Sequence, residues 1–281
     1  EIRRAVRAAL AEDLGSGDVT TLATVPAYAK STALMNAREP LVVAGIQFAE
    51  IAFHEVAARY AGSITIKKLA RDGQRVKAGE PLLKISGSSR VILSAERVAL
   101  NFIQRLSGVA TATAQFSDAV RGTRAKILDT RKTTPGWRLF EKYAVACGDG
   151  TNHRIGLYDM VLIKDNHLVA LQNEKPNAIA AAVARARKKF PKLKVEVEAD
   201  TLEQVAQAAD AGADIILLDN MPPAHLRRAV KIIQGRAKTE ASGGVNLKTV
   251  RAIAQTGVDF ISVGAITHSA RAVDIGLDFE N

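Results

Sequence analysis

From residue 125 onward, short and nearly continuous apolar runs alternate with stretches whose apolar positions recur every three or four residues. The runs are AKILDT, DMVLIKD, VEVEAD, DIILLDN, TEASGG and DFISVGA. Helical spacing fills the gaps between the later ones, at 177–190, 201–211, 223–234 and 247–256. Strands apolar on both faces, each followed by a helix, predict a parallel sheet covered by helices. Six strands can be counted, short of the eight of a full barrel. An incomplete barrel and an open doubly wound sheet both accommodate them.

The first half has a different texture. Residues 2–12 have the spacing of a short amphipathic helix. Gly15 and Gly17 mark a turn, and Asp18 or Thr20 suits the cap of the next element. Residues 31–47 read as strands and 49–61 as a helix, in which His54 is taken as structural. Residues 62–93 are short alternating strands broken by DG, AGEP and SGSS turns, and predict a β layer. They look like the small sandwich of biotinyl and lipoyl carrier domains but show no hairpin lysine for modification. Residues 94–122 predict one long helix, or two broken near Ser107-Gly108, with Ser94 near its start. Glu96 suits a first helical turn; Arg97 does not, and a local misfit invites a functional explanation.

Composition narrows the classes. Of 281 residues, 47% are hydrophobic and 24% charged, which is ordinary for a folded globular chain. No apolar run is long enough to span a bilayer, and residues 1–15 do not read as a signal peptide. The single cysteine, Cys147, leaves no intrachain disulfide and no multi-cysteine zinc site, so the cytoplasm is the expected compartment. The net charge of +10 calls for anionic partners. Aromatics are only 5%, and the densest basic run, 184–194, sits at the end of a predicted helix. That arrangement suits a solvated face near a helix C-terminus better than nucleic acid.

In parallel α/β folds, ligands bind at the C-terminal ends of the strands. Applied run by run, that rule collects Asp129-Thr130-Arg131-Lys132, then Lys164-Asp165-Asn166-His167, then Glu196, Glu198 and Asp200 on one face. Asp219-Asn220, Ser242-Gly243-Gly244 and Gly264-Ala265 come next, with His268 just beyond. Arg131, Lys132, Arg154 and Lys164 suit anionic oxygens. An anion would repel Glu198 and Asp219 unless they hold sugar hydroxyls or a magnesium ion that itself carries phosphates. The glycine turns let backbone N–H groups approach a phosphate. The expected ligands are a carboxylate-rich small molecule and a phosphorylated sugar with Mg²⁺. No GxGxxG and no P-loop are present, which disfavours dinucleotide and ATP enzymes.

The segments EDLGSGDVT, ERVALNFIQRLSGVAT, DTRKTTPGWRLFEKYAV, NHRIGLYDMVLIKDNH, VEVEAD, DIILLDNM, ASGGV and GVDFISVGAITHS together resemble the quinolinate phosphoribosyltransferase family. The resemblance runs almost end to end. It implies an N-terminal α/β sandwich over 1–107, with 269–281 packing back on it, and an incomplete, seven-stranded α/β barrel over 108–268. It implies a homodimer in which Arg97 acts in trans, reaching the neighbouring subunit's site to hold quinolinate. Arg131, Lys132, His153, Arg154 and Lys164 would surround two carboxylates, with Thr130 beside them. Glu198 and Asp219 would hold ribose hydroxyls and the Mg²⁺ of phosphoribosyl pyrophosphate. Ser242, Gly243, Gly244, Gly264, Ala265 and His268 would hold phosphate. Lys132, Lys164, Glu198 and Asp219 are the expected catalytic set. The implied reaction is phosphoribosyl transfer with decarboxylation. A non-decarboxylating pyridine-base transferase and a non-catalytic basic barrel are the rival readings. One departure from the family pattern is Gly148-Asp149-Gly150, where three glycines are usual; Asp tolerates a left-handed backbone better than most residues.

Overall fold

The computed structural model describes residues 1–280. The chain divides into two compact units, one of residues 1–112, 146–149 and 270–281, the other of 113–145 and 150–269.

The first unit opens with α1 (Ile2–Leu14) and α2 (Val19–Thr24). Asp18 caps α2, its carboxylate accepting the Thr21 N–H at 3.0 Å. Then come β1 (Lys30–Ala37), β2 (Leu41–Val42), α3 (Ile46–Arg59), β3 (Ile64–Lys68), β4 (Arg75–Val76) and β5 (Pro81–Ser88). An antiparallel sheet runs in the order C-terminal strand (Ile275–Phe279), β1, β5, β3, while β2 and β4 form a separate ribbon. Alternation along β1 buries Ala33, Met35 and Ala37. α3 buries Phe48, Phe53 and Val56 on one stripe, as its spacing predicts. Asp149 adopts φ 62°, so the turn after Cys147 is made with an aspartate in the left-handed region.

One expectation fails here. The long helix, α4 (Ser89–Ala119), is unbroken and starts five residues before Ser94. Val91 and Ile92, read as the end of the β layer, are buried with Ala95, Val98, Ala99, Phe102, Ile103 and Leu106. That spacing is helical. Ser94 is therefore no cap; its hydroxyl donates to Asp18 Oδ2 at 2.9 Å. Arg97 lies mid-helix and exposed.

The second unit alternates strands and helices: β6 (Lys126–Leu128), α5 (Arg138–Cys147), β7 (Val161–Ile163), α6 (Asp165–Val169), α7 (Ala178–Lys189), β8 (Val195–Ala199), α8 (Leu202–Asp210), β9 (Ile215–Asp219), α9 (Pro223–Ile233), β10 (Lys238–Ser242), α10 (Val250–Ala254), β11 (Phe260–Ser262) and α11 (Ala265–His268). The sheet order is β6-β11-β10-β9-β8-β7, all parallel. These are the six runs counted in the sequence. A seventh position is marked only by a parallel bridge from Leu128 to Thr151. Side chains from the ends of β6 and β7, at opposite edges of the sheet, line one cavity, so the sheet curls into an incomplete barrel. Helix α7 closes on the basic residues Arg187, Lys188 and Lys189, where cations complement the helix dipole.

Candidate active site

The cavity at the C-terminal strand ends has a volume of about 670 Å³. Every expected site residue of the second unit lines it: Thr130, Arg131, Lys132, His153, Arg154, Lys164, Glu198, Asp219, Ser242, Gly243, Gly244, Gly264, Ala265 and His268. Arg97, in the first unit, is not part of this lining.

The cations stand on braced loops. Thr130 Oγ1 accepts the Lys132 N–H at 3.0 Å, and Thr267 Oγ1 donates to the Lys132 carbonyl at 2.7 Å. Arg138 donates to the carbonyls of Arg131 and Ile155 and so ties together the two loops that carry Arg131 and Arg154. Asp159 accepts the N–H groups of Ile155 and Gly156 at 2.7 and 2.9 Å, which shapes the turn after Arg154. Arg131 Nε is buried without a partner. Burial, and then the neighbouring Arg131 guanidinium, lower the pKa of Arg154. Two guanidiniums that repel each other, one with an unspent buried donor, make a receptor for an anion.

Beneath them lies a network that no sequence motif announces. Lys142 and Asp129 form a buried ion pair. Asp129 also accepts the His153 N–H at 2.8 Å and the Asn152 amide at 2.9 Å, and Lys142 Nζ donates to the His153 carbonyl at 3.1 Å. The His153 ring is held as firmly as its backbone. Nδ1 accepts the Arg154 N–H at 2.8 Å. Nε2 lies 3.1 Å from Glu196 Oε2 and 3.4 Å from Glu240 Oε2. Its N–H is aligned with neither, since both carboxylates are buried and accept no hydrogen bond. Burial opposes a charged His153, while the two carboxylates beside Nε2 favour a proton in the cluster. Burial, reinforced by Glu240, raises Glu196 to about 7. The cluster therefore gains a proton. Because Nδ1 is occupied by an incoming N–H, that proton belongs on a carboxylate rather than on Nδ1.

Two further carboxylates, Glu198 and Asp219, line the same cavity. Lys164 Nζ donates to Glu198 Oε2 at 2.7 Å, and Asn220 Nδ2 donates to Asp219 Oδ2 at 2.6 Å. His167 Nδ1 accepts the Lys164 N–H at 2.9 Å and fixes the start of α6. Hard oxygen donors on adjacent strand ends suit Mg²⁺, but two carboxylates are too few for an all-protein cage. They fit an ion that arrives on a phosphate ester. On the far side, Gly243 and Gly244 adopt φ 96° and 60°, conformations that favour glycine. Gly264 packs against Lys132 and His268; a Cβ there would sit 3.2 Å from Lys132 Cδ and 3.1 Å from the imidazole.

Asn220, collected with Asp219 at a strand end, lines the cavity too, as do Glu240 and Val245, which were not singled out in the sequence. Glu240 shares strand parity with Ser242, a signal that was available. Arg138, Lys142 and Asn152 act by long-range bonds that no spacing reveals.

A parallel α/β sheet with cations, paired carboxylates and glycine turns gathered at its C-terminal edge defines an α/β enzyme of anionic small molecules. Comparison with known proteins sharpens that class. The family model for the quinolinate phosphoribosyl transferase C-terminal domain matches residues 109–278, and that for the N-terminal domain matches residues 18–107. The chain belongs to the quinolinate phosphoribosyl transferase family. It is 45% identical over 280 residues to the nicotinate-nucleotide pyrophosphorylase [carboxylating] of Mycobacterium leprae, covering 98% of this chain and 96% of that one. A chloroplastic relative from Arabidopsis thaliana, of the same name, is 42% identical, covering 100% of this chain and 83% of that one. The solved nicotinate-nucleotide pyrophosphorylase of Francisella tularensis superposes with a TM-score of 0.92 at 42% identity, covering 99% of this chain and 96% of that one.

Proposed function

We propose that this chain transfers the phosphoribosyl group of phosphoribosyl pyrophosphate to the nitrogen of quinolinate and releases CO₂, giving nicotinate mononucleotide and pyrophosphate in NAD biosynthesis. The observation that carries the reading is the meeting of Arg131, Lys132, Arg154 and Lys164 with Glu198, Asp219 and two glycine turns in one cavity. The names of the relatives point the same way.

The cations hold the two carboxylates and orient the pyridine nitrogen toward the anomeric carbon, converting the encounter into an intramolecular one. As the bond from the anomeric carbon to pyrophosphate breaks, positive charge grows on the sugar, and Glu198 and Asp219 face it. Lys132 and the backbone N–H groups at Gly243, Gly244 and Gly264 take up the negative charge of the phosphates. Once the ring is a pyridinium, it accepts the electron pair of the C2–carboxylate bond; CO₂ leaves and C2 takes a proton. Glu198 and Asp219 would hold Mg²⁺ carried in by the sugar, which would neutralise leaving-group charge.

The same reading includes a homodimer in which Arg97 completes the partner's carboxylate subsite, and a cytoplasmic location. Among the described residues no helix is long and apolar enough to cross a membrane. The deciding assay is ¹⁴CO₂ release from carboxyl-labelled quinolinate with phosphoribosyl pyrophosphate, run beside nicotinate. Turnover of nicotinate alone sinks the proposal. For the dimer, Arg97→Ala subunits mixed with Lys164→Ala subunits recover partial activity; hybrid dimers without recovery rule out sharing in trans.

A further inference from the structure

Glu196 and Glu240 are costly residues. Their side chains are 0% and 1% exposed, and none of their four oxygens accepts a hydrogen bond. A bare buried carboxylate is expensive, and an apolar pair would fill the barrel floor at lower cost. Neither residue caps a helix or bridges strands. Such a breach of the core rules marks a site rather than a scaffold.

What they face is one group. They stand on β8 and β10, with β9 between, and both reach the Nε2 of His153, at 3.1 and 3.4 Å. The ring passes the constraint on, because its other nitrogen accepts the Arg154 N–H at 2.8 Å. Other charges near the cluster are the Asp129–Lys142 pair, which clamps the His153 backbone, the guanidinium of Arg154, and that of Arg131 beside it.

We infer that Glu196 and Glu240 are positioning residues for the dicarboxylate subsite: their two carboxyl groups flank Nε2 and hold the His153 ring there, and the ring holds the Arg154 backbone by Nδ1. The inference rests on the proposed function for its ligand, quinolinate. It also adds to the part of His153, which lines the cavity and, through the bond that its Nδ1 accepts, fixes the backbone of Arg154.

A metal ion is the competing occupant, since one ligand atom from each of the three residues lies within 4.8 Å of the others. A neutral histidine that binds metal through Nε2 carries its hydrogen on Nδ1 and donates it. Here Nδ1 receives an N–H instead. The cluster is built for a hydrogen on Nε2, not for a metal.

The test uses the full-length protein and the near-isosteric variants Glu196→Gln and Glu240→Gln. The expected result is a rise of about tenfold or more in KM for quinolinate, the scale on which a small misplacement of a binding group is felt. KM for phosphoribosyl pyrophosphate stays within about twofold and Tm does not fall, because a buried charge has been removed. An unchanged quinolinate KM in folded variants overturns the inference. So does a joint loss of both KM values and Tm, which indicates a role in folding alone. Stoichiometric binding of Zn²⁺ or Mn²⁺ to the unmodified protein, lost in both variants, overturns it in favour of a metal. Should the variants not fold, ¹⁵N spectra of imidazole-labelled unmodified protein decide: Nδ1 without hydrogen is expected, and Nδ1–H refutes the arrangement. Direct calorimetry of quinolinate binding separates this result from the wider proposal, whose own failure shows as an unmodified enzyme that releases no CO₂.

Discussion

Lys164 and Glu198 are bonded to each other, Nζ to Oε2 at 2.7 Å, across the ends of adjacent strands. The cation assigned to a substrate carboxylate is thus held by the carboxylate assigned to the ribose. Lys164 is about half exposed, at 46%, and such a pair adds at most about 1 kcal/mol to stability. Lys164→Met and Glu198→Gln should each leave Tm within about 2 °C yet lower kcat/KM by about 10²-fold or more. The double variant should lose less than the product of the two, as partners in one network do. Strictly multiplicative losses would show that the two act independently.

The Asp129–Lys142 pair is the opposite case. Both side chains are almost fully buried, and burial raises the Asp129 pKa despite its lysine partner. Lys142→Met leaves a buried carboxylate uncompensated, at a cost of about 3–5 kcal/mol. Urea unfolding should show that loss, and Asp129→Asn placed on the Lys142→Met background should restore part of it. Equal midpoints for Lys142→Met and the unmodified protein would contradict this role for the pair.

Much of the architecture was legible because strands apolar on both faces leave an unmistakable trace. All six counted runs are strands, and the four helices expected between the later ones begin within three residues of their expected starts, whereas α5 and α6 had not been expected. The seventh strand position was not legible, because it is a single bridge at Thr151 with no periodicity to detect. The start of α4 was misplaced because Val91-Ile92-Leu93 reads equally as strand or helix in a short window, and only its continuation decides. At the site, each strand end announced its own residue by type and position. The groups that hold those residues in place did not show. Arg138, Lys142 and the Glu196–His153–Glu240 cluster are defined by contacts between separate loops and strands, and one sequence carries no record of such pairings.

In the first unit, Glu39 accepts bonds from the Arg271 guanidinium and from the Asp274 N–H at 2.8 Å. The arginine, then the backbone N–H, lower its pKa from 4.5 to about 2. The folded protein therefore favours the ionised form more than the unfolded chain does. The stabilisation is complete above pH 4.5 and is lost as pH falls from there toward 2. Tm of the unmodified protein should fall more steeply across that window than Tm of Glu39→Gln. Because Arg271 is exposed, added salt should narrow the difference. Parallel acid profiles would remove Glu39 from the acid response.

Gly243 and Gly244 offer a test of the sugar-phosphate side, because the two glycines are strained differently. At Gly244, with φ 60°, an added Cβ would meet nothing within 4 Å, so Gly244→Ala costs only the left-handed backbone, about 1–2 kcal/mol. Gly243, at φ 96°, has Asn220 against it: a Cβ would sit 2.1 Å from Oδ1 and 3.0 Å from the backbone nitrogen. Asn220 cannot yield freely. Its N–H donates to the Ser242 carbonyl at 2.9 Å and its amide to Asp219 at 2.6 Å, while its own φ is 51°. Gly243→Ala must therefore push the turn after β9, and Asp219 moves with it. Gly243→Ala should raise KM for phosphoribosyl pyrophosphate by about tenfold or more, with a smaller effect on KM for quinolinate. Gly244→Ala should show a clearly smaller change in both. Equal effects from the two substitutions would mean that backbone strain alone, not the contact with Asn220, governs this loop.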